Sequence, residues 1–206
     1  MIDKQQVMAK GHVKIYYVAD DNFDEEILLD KDNAIHYENF SEALALSMGN
    51  KNSGYIYQMA FGNGGTNVDA TGIITYLPPN TVGQSAKLYS QKFSKVVDDS
   101  SATNIDPVRN NLTISHTTGK VYTDILVSCI LDYGEPAGQQ AFDNSTDLNG
   151  EFVFDELGLE TWMGDVDTLR LITHVIHHPI QKALNRQMQI DYTIRIQALT
   201  SMTTSC

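Results

Sequence analysis

Apolar and polar residues alternate with a period of two through most of the chain, the spacing of half-buried β-strands. Strand-like runs cover residues 11–18 (GHVKIYYV), 27–29, 55–61, 71–77, 88–97, 112–116, 121–131, 152–159, 169–177 and 188–197. In the last of these Ile190, Tyr192, Ile194 and Ile196 share one face, and in 55–61 Tyr55, Tyr57 and Met59 lie opposite Ile56, Gln58 and Ala60. The run 121–131 (VYTDILVSCIL) is the most apolar and is predicted to sit centrally. One segment departs from this pattern. Over Tyr37–Met48, Phe40, Ala43, Leu44 and Ser47/Met48 recur at helical spacing, Glu38 and Glu42 lie toward the N-terminal end, and Gly49-Asn50 supplies the stop. So short a helix needs a sheet to lie on. The elements predict a mainly β protein, an antiparallel β-sandwich with one packed α-helix over residues 37–48.

Between these runs lie the turns. Gly62-Asn63-Gly64-Gly65 gives four positions that tolerate positive φ, so it predicts a sharp bend or a close approach to another surface. A phosphate cradle does not fit it. The third glycine of a dinucleotide loop is replaced by Asn67, no Gly-Lys-Ser/Thr follows, and Thr71–Leu77 leads into Pro78-Pro79 rather than a helix. The acidic stretch Asp20–Glu26 predicts an exposed hairpin tip. It lacks the glycine at the sixth position, and has Lys31 where a calcium loop needs its twelfth-position glutamate. Residues 1–10 read as an N-terminal arm, 11–197 as a single domain, and 198–206 as a tail. The loop 132–150 is long and rich in Gly, Asn, Asp and Gln, which suits an interaction arm.

Composition narrows the function classes. The 206 residues are 42% apolar, enough for a sizeable core. Fourteen Lys and Arg against 26 Asp and Glu give a formal charge of −12, a field that disfavours nucleic acid and anionic membranes as partners. The N-terminus lacks the apolar block of a signal peptide, and no apolar run approaches the ~18 residues of a membrane span, so a chain made in the cytoplasm is expected. Cys129 lies in an apolar run and Cys206 is terminal, contexts too different for a bridge.

Candidate chemistry is sparse. His174, His177 and His178 precede Pro179, and a metal would need a bend to bring them together, with His36 or Asp124 completing the shell; no HExxH-type spacing supports zinc. The serines stand in polar turns, Gly-x-Ser-x-Gly is absent, and an apolar strand makes the Cys129 thiol inert. The pairs Asp155-Glu156 and Asp165/Asp167 match a glycosidase only as any carboxylate-rich chain does by chance. The expectation is no catalytic residue, no cofactor and no committed metal site. Tyr16, Tyr17, Tyr55, Tyr57 and Trp162 leave a carbohydrate-binding β-sandwich as an alternative from another class.

Several short motifs recur together: Asn33-Ala34-Ile35-His36 before the helix, the Phe61–Gly65 bend, Thr75–Pro79 before Leu88-Tyr89, and Val96-Val97-Asp98-Asp99. With Phe154-Asp155-Glu156-Leu157-Gly158-Leu159, Leu171–Lys182 and a terminal strand, the chain resembles virion structural proteins of tailed bacteriophages, including marine phages. It is similar to their tail-collar and fibre-type proteins over residues 11–197, without a repetitive stalk. The resemblance implies a non-enzymatic virion component, a ring or appendage-anchoring subunit of the neck, tail or baseplate. A capsid decoration protein on the head exterior is the alternative. Its implied partners are other virion proteins and copies of itself, reached through residues 1–10, 132–150 and 198–206.

Overall fold

The computed structural model describes residues 5–19, 21, 24–137 and 153–200. Along the chain run β1 (Gln5–Tyr17), β2 (Glu26–Ile35), α1 (Tyr37–Met48), β3 (Tyr55–Gly62), β4 (Thr66–Val68), β5 (Ile74–Tyr76), β6 (Gln91–Val96), β7 (Asn111–His116) and β8 (Tyr122–Leu131). They are followed by β9 (Val153–Trp162), a single 3-10 turn at Val166–Thr168, β10 (Arg170–Leu171), β11 (Thr173–Gln181) and β12 (Met188–Thr200). The mainly β, antiparallel character and the helix at 37–48 are as the periodicity predicts. Among the described residues no helix is long and apolar enough to cross a membrane.

The two layers of a sandwich are not what forms. Nine strands pair antiparallel in one path, β6-β3-β9-β11-β2-β1-β12-β8-β7, with β10 beside β9 and β4-β5 as a separate hairpin. The strand that makes it one sheet is β2. It pairs with β1 from Glu26 to Asn33 and then hands over to β11, where Ala34 and Ile35 meet His174 and Thr173. The sheet therefore curls into an antiparallel half-barrel, and its two arms enclose a shared core. Val13, Ile15, Val127, Cys129, Ile190 and Ile194 of one arm cluster with Met59, Phe61, Leu157, Leu159 and Val175 of the other. Alternation reports which face of a strand is buried, and it reads the same whether the opposing face belongs to a second sheet or to the same sheet bent round.

Two further expectations change. The apolar run 121–131 forms β8, which lies second from an edge instead of centrally, with its inner face buried from Val127 onward and its outer face covered only at Ile130. The strands buried on both faces are β3, where only Tyr55 is not buried, and β9, where only Trp162 is not. The second cover of this pair is the irregular segment between β5 and β6, with Leu88 in a small cluster with Ala60 and Leu171. Residues 5–10, read from sequence as part of an arm, are the first half of β1 and pair with Arg195–Thr200 of β12. Residues 1–4, 201–206 and most of the 132–150 loop lie outside the described residues, as does the tip of the acidic turn.

Helix α1 is held at its start. The His36 ring accepts a hydrogen bond from the Asn39 backbone N–H at Nδ1 (3.2 Å), so Nε2 carries the ring proton and donates to the Gly83 carbonyl (3.0 Å). Asn39 Nδ2 donates to the Leu171 carbonyl (2.9 Å), fixing the first turn to the cover segment's side of the sheet. Of the expected apolar stripe only Ala43 is fully buried, while Phe40 and Leu44 are half-buried and Met48 is 81% exposed. The helix rests against the end of the half-barrel without closing it.

Candidate functional site

The glycine-rich bend and the Asp155-Glu156 pair, far apart in sequence, meet in one buried cluster. Glu156 is fully buried. Its Oε1 accepts from the backbone N–H groups of Ser90 (2.7 Å) and Gly64 (3.1 Å), and its Oε2 from the Tyr89 N–H (2.9 Å) and His174 Nε2 (3.0 Å). The tautomer of His174 follows from its other nitrogen, because Nδ1 accepts from the Asn80 backbone N–H (2.8 Å) and so carries no proton. Asp155 reaches the next two residues of the bend, accepting from the N–H groups of Gly65 (2.9 Å) and Thr66 (2.8 Å) and from the Thr66 hydroxyl.

The bend therefore uses its amides as an anion nest, and the anions are the protein's own carboxylates. What its glycines supply is room. Gly62, Gly64 and Gly65 are not in the left-handed region, but a Cβ on Gly62 would meet Glu156 Oε1 at 2.4 Å and one on Gly64 would meet Ser90 N at 2.8 Å. Burial pushes the Glu156 carboxyl up, yet His174 and the amides outweigh it and hold the group below its ordinary range. Asp155 shifts the other way, raised by burial despite Thr66 and Gly65. A third carboxylate, Glu160, accepts from Gln58 Nε2 (2.7 Å) and Lys87 Nζ (3.2 Å), and Lys87 also bonds the Leu169 carbonyl (2.8 Å). These contacts clamp the cover segment to β3 and β9.

The three neighbouring histidines do not converge. His174 uses both ring nitrogens within the cluster. His177 is buried in the bulge where β11 slips against β9, bonds the His178 carbonyl through Nδ1 (2.8 Å), and is pushed down to about 4 by burial. His178 is exposed, with Nδ1 3.3 Å from the Tyr76 hydroxyl. Neither suggested completing ligand is near: His36 caps α1, and Asp124 is in a two-point ion pair with Arg195 (2.7 and 2.8 Å). Among the described residues no group of three or more His, Cys, Asp or Glu is placed to hold a metal. Asp165 caps the 3-10 turn, and Cys129 is wholly buried with its thiol pushed up to about 12. The aromatics are dispersed: Tyr57 packs on Trp162 at 5.0 Å, Tyr17 donates to the Gln181 carbonyl, and Tyr16 donates to Asp191 (3.0 Å).

The open features lie where the two arms of the path face each other beside α1. Between α1 and the inner faces of β3, β7, β8 and β12 runs an apolar groove of about 210 Å³. Phe40, Leu44, Tyr55, Leu112, Ile114 and Ile125 line it, and no charged side chain does. Its outer wall, β7, pairs with β8 on one side and with no described strand on the other. The sequence hinted at neither. Leu112 and Ile114 read as ordinary strand residues, and only the half-barrel's failure to close leaves them half-buried and exposed. Compared with family models, with curated proteins and with solved structures, the chain matches none.

Proposed function

We propose that this protein is a non-enzymatic structural subunit of a tailed-phage virion, an oligomeric ring or appendage-anchoring component of the neck, tail or baseplate. The observation that carries the reading is the half-barrel left open along β7 among the described residues, with an uncharged apolar groove and an edge strand that no described strand pairs on the same side. Such a surface is completed by another protein. The buried acidic groups fit a load-carrying part, since Asp155, Glu156 and Glu160 tie an irregular segment down onto the sheet. That arrangement makes a rigid body from a chain with little helix.

The test is localisation. Cryo-electron microscopy of purified particles, with peptide mass spectrometry of the same preparation, places density of this fold at the neck, tail or baseplate in a small fixed copy number. Hundreds of copies on the head exterior would replace that position by capsid decoration. Absence from purified particles would overturn the assignment to the virion.

A further inference from the structure

The sheet has two ends, and they are guarded differently. The β6 end carries the exposed Lys92, the kind of charge that keeps strand edges from pairing with copies of themselves. The β7 end, Asn-Leu-Thr-Ile-Ser-His, has no lysine, no carboxylate and no proline. In a chain of net charge −12 it is a neutral stretch of exposed backbone. Large apolar side chains flank it on the surface: Ile105 (85% exposed) and Val108 (83%) before it, Ile114 (64%) within it, and Val121 (57%) after it.

We infer that β7 is the contact between two copies of this chain, paired antiparallel about a two-fold axis through Thr113. An axis normal to the sheet keeps inner faces on one side, so residues opposite one another must have the same inward or outward sense. Centring on Thr113 satisfies this and sets Leu112 against Ile114 of the second copy, twice. Both line the groove, so the two apolar grooves join into one continuous lining across the axis. On the outer face Thr113 meets its own equivalent and Asn111 meets Ser115, uncharged pairs of a kind that stabilises neighbouring strands. Charge also matches at the ends. Near the start of β7 Arg109 pairs with Asp106 and Asp132 (2.6 Å to the latter), and antiparallel pairing brings Lys120 from the far end of the second copy toward these carboxylates.

This inference rests on the assembly reading above, and its test separates the two. In sedimentation velocity over a concentration series the intact chain forms a dimer. Thr113→Lys and Thr113→Glu, both on the exposed face, oppose like charges at the axis and weaken it about tenfold or more. Mixing the two variants restores a mixed dimer, and Thr113→Cys oxidises to a disulfide-linked pair. A monomer at all concentrations, or a dimer indifferent to both charges, overturns the β7 contact even if the protein is present in particles. A β7-paired dimer absent from particles overturns the virion assignment and leaves the contact standing.

Discussion

Replacing Glu156 by Gln removes one charge from the centre of the fold at almost constant volume, and the geometry fixes what should follow. Four donors, the amides of Gly64, Tyr89 and Ser90 and the His174 ring, converge two to each oxygen. A carboxamide keeps one acceptor oxygen and turns an NH2 group toward the other two donors, whichever way it is flipped. Two hydrogen bonds to a charged acceptor are lost, at about 1.5–3 kcal/mol each, and their donors stay buried, so a net cost of about 3–5 kcal/mol is expected. For a domain of this size that lowers the melting temperature by roughly 6–20 °C. Trp162 is the sole tryptophan, stands at the end of the same strand and packs on Tyr57, so its fluorescence reports the transition directly. Glu156 titrates below its ordinary value in the fold, so its contribution is complete above the ordinary carboxylate range and fades as pH falls through that lowered value. The difference between wild type and Glu156→Gln should therefore shrink in acid. A variant that melts within about 2 °C of wild type at neutral pH would refute the idea that this carboxylate pins the cover segment.

Other consequences can be checked in the same way. Asp155→Asn should cost less than Glu156→Gln, about 1 kcal/mol by chemical denaturation, because burial already disfavours the charge that the substitution removes. Gly158→Ala puts a Cβ 2.3 Å from the Thr173 carbonyl oxygen and 2.6 Å from Leu171, so about 3 kcal/mol should be lost; Gly72→Ala meets nothing within 4 Å and costs only the strain of φ +84°, about 1 kcal/mol. His177 has its value lowered from 6.5 to about 4, so stability should hold above pH 6.5 and fall as pH drops toward 4, by about 3 kcal/mol. The His177 part of that loss, between pH 6.5 and about 4, should be absent in His177→Gln, and an unchanged pH profile would count against burial as its cause. Cys129, buried and with its thiol pushed up to about 12, should resist iodoacetamide in the native protein and react in denaturant, read by mass spectrometry of its peptide.

Strand identity was legible because alternation survives wherever one face is wet, as in β12, and the helix was legible because Phe40, Ala43 and Leu44 break that period. Closure was not legible. It depends on β2 changing partner after Asn33, which leaves no mark on the pattern of apolar residues. The central placement expected for the apolar run of β8 failed for a related reason: apolar content measures burial by any cover, and β9, interrupted by Asp155, Glu156 and Glu160, is buried more completely because those groups are bonded. The bend at 62–65 was visible as a place of close approach. Its partners were not, since nothing local ties Gly64 to a glutamate ninety-two positions later.

The longest ladder in the sheet, β1 with β12, joins strands far apart in sequence, Gln5 opposite Thr200. During synthesis β1 emerges long before β12 and can pair first only with β2, so its other side stays open until β12 has been made. Folding should accordingly be slow and governed by that late docking step, and an interrupted chain lacking β12 would present β1 as a sticky edge to whatever nascent neighbours are at hand.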